Sequence, residues 1–247
     1  MRIAISGTAC QGKSTLVKDF LENWPNYSRS KESYRQVVKK DGLKINKEVN
    51  QDSQWKILNC LIDDLQNTTK EDNIIYDRCP LDNLVYSMWS YEKGNSDIDK
   101  AFIDKCIPLV RESMRLLDII FFIPITKAAP VKIEAKENRE TDLSYIKEID
   151  FIFKAIERQH SVNGGFPFFV HDDKPAIIEI FGTPEERIKM IELYLDKDGE
   201  VVSDKESVLS NENLELMETL LGIQKQIDKK DKDEQKLRDK FLIKKHK

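Results

Sequence analysis

The sequence predicts an α/β fold: a parallel sheet with helices on both faces, then a charged, mainly helical C-terminal appendage. Three observations predict it. Short apolar runs alternate with longer stretches of helical period. One run, Asp118 to Ile125 (DIIFFIPI), is apolar almost throughout, as strands covered on both faces are. A glycine-punctuated turn joins the first apolar run directly to the first helical stretch.

Each element has its own signal. Arg2 to Ser6 reads as a buried strand cut off at Gly7. From Ser14, the residues Leu16, Val17, Phe20, Leu21 and Trp24 recur at helical spacing until Pro25 stops the helix. Residues 26–48 are polar and basic without a clear period. Val49, Trp55, Leu58, Leu61, Ile62 and Leu65 mark a second helix, and Asn73 to Asp77 the next strand. Leu81, Leu84, Val85, Met88 and Trp89 mark a third helix. Residues 98–116 read as helical, with Pro108 expected to kink that helix or start a new one. After the strand at 118–125 comes a charged loop, 126–141, then a helix carrying Leu143, Ile146, Ile149, Ile152, Phe153 and Ile156. Gly164-Gly165 breaks the chain. Ala176 to Phe181 is a last strand, and Gly182-Thr183-Pro184 opens a helix running to Leu195.

Length and composition bound the rest. A chain of 247 residues, 40 % hydrophobic and 34 % charged, suits one globular domain with an appendage. We place the domain at residues 1–195 and the appendage at 196–247, where proline disappears and residues 228–240 are almost wholly charged. Its expected roles are packing on the core or self-association. The four cysteines, Cys10, Cys60, Cys79 and Cys106, form no close pairs, which reads as reduced thiols rather than a disulfide frame or zinc site. No apolar run reaches membrane-spanning length and no charged-then-apolar leader opens the chain, so a soluble, cytoplasmic protein is expected. Leu221 to Lys247 carries ten Lys or Arg against five Asp or Glu, although the whole chain has a formal charge of −4. A basic tail is therefore present without a globally basic face.

Gly7-Thr8-Ala9-Cys10-Gln11-Gly12-Lys13-Ser14 matches G-x-x-x-x-G-K-[ST], with Thr15 following. Two glycines let the backbone curl so that its N–H groups converge on phosphate oxygens. Lys13 then reaches the β and γ phosphates, and Ser14 offers a hydroxyl to Mg²⁺. The helix behind the loop turns its positive end toward the same phosphates. A chance match arises in roughly one chain in a hundred of this length. The position of this one, between a predicted strand and a predicted helix, is what makes it specific. ATP and Mg²⁺ are the expected cofactors.

Asp77-Arg78 closes the second clear strand. A carboxylate there can hold the metal's water shell or accept a proton from an acceptor hydroxyl. ATPase motors usually carry a second acid at the next position. Arg78 instead suits an acceptor phosphate or nucleotide, and a surface salt bridge explains the pair as well. His160, His171 and His246 show no metal spacing. Asp196-Lys197-Asp198-Gly199 has a GTPase-like form but follows the last core strand and lacks a guanine signature, so a GTPase is discarded.

These motifs carry a resemblance over about residues 1–195. The phosphate loop, Asp77-Arg78-Cys79-Pro80-Leu81-Asp82, a charged Arg-bearing loop and Gly182-Thr183-Pro184-Glu185-Glu186-Arg187 together resemble the nucleoside and nucleotide kinase group. The chain is similar to thymidylate, deoxynucleoside and nicotinamide riboside kinases, and to the small AAA-like P-loop kinases found in many phages. The resemblance implies a three-layer P-loop NTPase fold. It also implies Asp77 as base or magnesium contact and Arg78 near the phosphates or acceptor, with Cys79 standing where the group carries Ser. Asp82 is assigned to the acceptor with them. After the first helix the group places an acid and an arginine near the acceptor. Glu32 would then orient a hydroxyl and Arg35 a phosphate, although a solvated helix start explains both equally. Gln54 and Trp55 could hold a base by hydrogen bond and stacking, with core packing the alternative for Trp55. Arg139 would be the lid arginine and Arg158 a second candidate, and Gly182-Thr183-Pro184 the loop along the adenine.

Three functions compete at this point. The first is a kinase for a free nucleoside or nucleotide, monomeric or homodimeric. The second is a kinase phosphorylating a hydroxyl on a modified base or strand end of DNA, with the basic tail on the phosphates. A solvated tail is the plainer account of those lysines. The third is a non-kinase ATPase or regulator, which the missing second acid after Asp77 disfavours.

Overall fold

The computed structural model describes residues 1–30, 34–69, 71–126 and 140–202, together with Thr219. Glu32, Arg139 and nearly all of the appendage lie outside the described residues. Five strands form one sheet: β1 (Arg2–Ser6), β2 (Ser28–Arg29), β3 (Ile74–Asp77), β4 (Ile119–Phe122) and β5 (Ala176–Glu179). Their spatial order is β2-β3-β1-β4-β5, and every pairing is parallel. The helices are α1 (Lys13–Asn23), α2 (Tyr34–Asp41), α3 (Gln51–Gln66), α4 (Pro80–Lys93), α5 (Lys100–Met114), α6 (Leu143–Asn163) and α7 (Pro184–Ile191).

The layers follow from alternation along the strands. Ala4, Tyr76, Ile120 and Phe122 face one core cluster, shared with α3, α4, α5 and α6. Ile3, Ile5, Ile75, Phe121 and Ile123 face the other, closed by Leu16, Val17 and Phe20 of α1 and Ile188 and Ile191 of α7. The result is the three-layer α/β fold that the apolar runs predict. β1 and β4 are buried along their whole length, whereas β5 is an edge strand and half exposed.

β1 lies between β3 and β4, so the chain leaves it toward opposite sides. In open parallel sheets such a reversal leaves a crevice at the strands' carboxyl ends. Register puts Ile5 beside Asp77 and Ser6 beside Phe122. The turn after β1 and the turn after β3 therefore open side by side.

Local differences from the sequence expectations have physical reasons. Pro108 starts no new helix; it sits inside a single α5. β2 is only two exposed residues, too short to show a period. α7 ends at Ile191, four residues before the expected end. The turn at residues 196–199 is hydrogen-bonded to the end of α1 and the segment after it. Trp24 Nε1 donates to the Asp196 carbonyl at 2.8 Å, and the Tyr27 hydroxyl to the Gly199 carbonyl at 2.7 Å. A Cβ on Gly199 would lie 2.5 Å from the Tyr27 ring, which explains the glycine in this Asp-x-x-Gly turn. Among the described residues no helix is long and apolar enough to cross a membrane.

Candidate active site

The loop between β1 and α1 owes its shape to backbone freedom at three positions. Gly7 has φ +139° and approaches the sheet so closely that a Cβ would lie 2.7 Å from the Ile123 carbonyl oxygen. Gly12, at φ +77°, caps α1 in the left-handed conformation. Cys10 also has positive φ, at 63°. Such alternation turns successive N–H groups inward into a nest for anions. The loop is fixed from outside. Thr8 Oγ1 donates to the Ile146 carbonyl at 2.9 Å, and Cys10 Sγ to the Glu140 carbonyl at 3.2 Å.

Lys13 is buried and donates from Nζ to the carbonyls of Gly7 (2.8 Å) and Thr8 (2.5 Å). Burial, with Arg78 close by, pulls its pKa down to about 7, against the opposing pull of Asp82 and Asp77. Ser14 Oγ donates to Asp77 Oδ2 at 2.7 Å. The same carboxylate oxygen lies 3.3 Å from Arg29 and 3.6 Å from Arg35, and Arg35 also donates to Ser14 Oγ at 3.1 Å. Burial alone would raise the Asp77 pKa. Arg35, Ser14, Lys13 and Arg78 overcome that and hold it below the ordinary carboxylate value.

Asp77 Oδ1 is buried and has no hydrogen-bond partner among the described residues. An orphaned anionic oxygen beside a serine hydroxyl, at the mouth of a phosphate nest, suits a hydrated Mg²⁺. The residues present therefore fit the expected metal. Among the described residues no cluster of three His, Cys, Asp or Glu offers a second site.

Arg78 follows at φ +93°, a conformation that L side chains rarely adopt and that costs roughly 1–3 kcal/mol. Its surroundings enforce it. The backbone N–H donates to the Ile5 carbonyl at 3.1 Å. The guanidinium donates to the Tyr34 hydroxyl (3.1 Å), Asp82 Oδ1 (3.4 Å) and the Tyr86 hydroxyl (3.4 Å). It also lies over both tyrosine rings, 5.4 and 5.0 Å from their centroids. Burial works against its charge, but Tyr34, Tyr86 and Asp82 raise its pKa further above the ordinary arginine value.

Asp82 ties this turn to the phosphate loop. It is 1 % exposed and accepts from Ser6 Oγ at 2.6 Å, the Cys79 N–H at 3.1 Å and the Gly7 N–H at 3.4 Å. Its oxygens are thus committed to the protein's own donors. Cys79 is the N-cap of α4, and its Sγ lies 3.4 Å from Ser6 Oγ.

A half-open cavity adjoins Arg78. Ile45, Val49, Ile57 and Leu61 line it, with Tyr34, Tyr86, Asn46, Gln54, Asp82 and Asn83 supplying polar or aromatic groups. Asn83 Nδ2 donates to both the side-chain and main-chain oxygens of Gln54, and Asn83 Oδ1 has no partner among the described residues. Trp55 is not here. Its ring packs on Phe102 and carries Lys105 at 3.5 Å, beside a separate hollow. Gln54 and Trp55 point about 100° apart on α3, and here they face different hollows.

Gly182-Thr183-Pro184 forms the cap of α7. Thr183 and Glu186 exchange hydrogen bonds as a capping box with Pro184 at the first turn. Thr15 is exposed on the first turn of α1, and Arg158 is exposed on α6, outside the cavity lining. Tyr34, Asn83 and Tyr86 are site residues that sequence reasoning did not single out. A tyrosine beside Arg35 and an acid–Tyr spacing of four from Asp82 were the available signals.

A family model described as an AAA domain matches residues 2–163. No curated protein matches the sequence. Among solved structures, the chain is similar to deoxyadenosine kinase from M. mycoides with dCMP and dCDP. That match has 18 % identity and a TM-score of 0.53, covering 77 % of this chain and 96 % of the other. It is also similar to thymidylate kinase from Candida albicans, with 14 % identity and a TM-score of 0.54, covering 82 % and 95 %. At these identities the likeness is one of fold.

Proposed function

The chain belongs to the AAA domain family, and on that premise we propose that it is an ATP-dependent phosphotransferase acting on a nucleoside or nucleotide. One observation carries this reading: consecutive residues serve two adjoining sites. Asp77 meets Ser14 of the phosphate loop at 2.7 Å, and Arg78 lines the cavity. A group held in that cavity is thereby presented to the phosphate loop, as a phosphoryl transfer requires.

The cavity wall fits the acceptor class. Apolar side chains flank it, two tyrosine rings offer flat surfaces, and Gln54 with Asn83 offers an amide edge for a heterocycle. The similar fold of the deoxyadenosine and thymidylate kinases supports the same class.

In this reading the loop N–H groups and Lys13 bind the β and γ phosphates. Lys13 leaves the Gly7 and Thr8 carbonyls to do so. Ser14 and Asp77 would hold Mg²⁺, which when bound neutralises charge on the phosphates. Asp77 is held anionic by its neighbours, which makes it a weak proton acceptor and a good partner for metal-bound water. Arg35 and Arg78 flank the turn and stabilise charge on the transferring group. The acceptor oxygen forms the new P–O bond, the bond to the β phosphate's bridging oxygen breaks, and ADP leaves. Glu32 is our candidate for taking the acceptor's proton, and Arg139 for closing over the phosphates.

The test is Mg²⁺-dependent ATP consumption against two panels: free nucleosides and nucleotides, and DNA carrying ordinary or hydroxymethylated bases. ADP and a phosphorylated product from one free compound would support the reading. Phosphate appearing only in DNA would replace it with a nucleic-acid kinase. ATP hydrolysis indifferent to both panels would leave an ATPase.

A further inference from the structure

Arg187 is a buried cation that the mechanism above leaves without a task. It is 5 % exposed, and among the described residues its guanidinium makes one hydrogen bond, from a terminal nitrogen to the Gln11 carbonyl at 2.7 Å. Nε is buried and has no partner among the described residues. Burial alone lowers its pKa, with no acid offsetting it, and among the described residues it forms no ion pair. An uncompensated buried guanidinium is costly, and a fold retains one where an anion comes to it or where its position does other work.

The position is specific. Gln11 and Gly12 are the last loop residues before Lys13, and a Cβ on Gly12 would lie 3.2 Å from the Arg187 guanidinium. On the other side, Arg187 belongs to the first turn of α7, and its N–H donates to the Thr183 carbonyl at 3.0 Å. The Thr183–Glu186 capping box fixes that turn. One side chain therefore spans from the cap at residues 182–184 to the phosphate loop.

We propose that Arg187 is a positioning residue for ATP: it sets the phosphate loop against the α7 cap and adds uncompensated positive charge behind the triphosphate. The inference rests on the loop binding ATP, not on which acceptor is used. In a poorly hydrated setting a fixed charge acts over longer distances than in water, so its effect scales with the negative charge of the ligand. A purely structural clamp would not make that distinction.

The experiment is equilibrium binding of ATP, ADP and AMP to the full chain and to Arg187→Met and Arg187→Lys, with thermal melts of each. Arg187→Met should weaken ATP by about tenfold, ADP by less, and AMP least, while Arg187→Lys stays within about threefold of the wild type for ATP. Equal losses for the three nucleotides, or none, would overturn the proposal. If Arg187→Met does not fold, Arg187→Lys decides alone. ATP affinity kept within about threefold supports the charge, and a tenfold or greater loss shared equally by ATP and AMP defeats it. A wild type that binds no ATP removes both this inference and the kinase reading. ATP binding without phosphoryl transfer removes only the latter.

Discussion

The phosphate loop and the cavity proposed for the acceptor lie on opposite sides of one turn, yet they are built by different means. The loop is eight consecutive residues, Gly7 to Ser14, whose backbone makes the site, with Gly7 and Gly12 at positive φ. The cavity is made by side chains from α2, the stretch around Ile45, α3 and α4. In the loop, residue identity matters through the space and dihedrals it permits. In the cavity it matters through chemistry, as where two tyrosines and Asp82 enclose Arg78. Substitutions should therefore fail differently on the two sides, by geometry in one and by recognition in the other.

The largest effect is expected at Lys13. Lys13→Ala removes the cation that meets the β and γ phosphates and should lower kcat/KM by roughly 10²–10³-fold or more, whatever the acceptor. Steady-state rates would test it, and near-wild-type turnover would end the claim that the loop is catalytic. Asp77→Asn comes next. The amide keeps the shape but loses the anion facing Ser14, so transfer should fall roughly 100-fold while ATP affinity changes little. Isothermal titration and turnover together separate these; an equal loss in both would make Asp77 a binding residue instead.

Those two residues also show how much of the site was legible in the sequence. The loop could be read because its function lies in the spacing of two glycines, a lysine and a serine, all within eight positions. Asp77 could be read because a strand end announces it. The cavity could not be read in this way. Tyr86 lies off the helical stripe of Leu81, Leu84, Val85, Met88 and Trp89, so no periodicity marks it. Tyr34 lies inside the polar stretch 26–48, whose lack of a clear period hides α2. The sequence could not separate Gln54, which lines the cavity, from Trp55, which packs on Phe102 beside another hollow. The parallel sheet was legible because buried strands are continuous apolar runs, whereas β2, with two exposed residues, has no such run.

Gly7→Ala sharpens the contrast from the loop side. The methyl would meet the Ile123 carbonyl oxygen at 2.7 Å, against backbone that cannot swing away, and would sit at φ +139°. We expect a loss of roughly 1–3 kcal/mol in stability, seen as a lower Tm, together with weaker ATP binding. Tyr86→Phe is its counterpart in the cavity. It keeps the ring under Arg78 and removes one hydroxyl acceptor. We expect an acceptor KM about three- to tenfold higher, with ATP affinity and Tm nearly unchanged. A fall in ATP affinity in Tyr86→Phe would mean that the two sides are not separable.

The smallest expected effect is on pH, and it belongs to the loop alone. Burial lowers the Lys13 pKa to about 7, so the folded chain disfavours the ammonium that an unfolded chain keeps to about pH 10. Between those values the unfolded state binds the extra proton, and this residue's contribution to stability rises with pH. ATP binding asks for the opposite, because the tetra-anion needs the charged lysine. Affinity should therefore weaken severalfold from pH 7 to 8, and binding at pH 8 should take up protons. Titration calorimetry in two buffers of different ionisation enthalpy measures that uptake directly. Lys13→Arg, which stays charged, should abolish it if it binds. Acceptor KM should not share the same inflection, because Arg78 keeps its charge throughout the range. A common inflection in both parameters would show one titrating group governing cradle and cavity together.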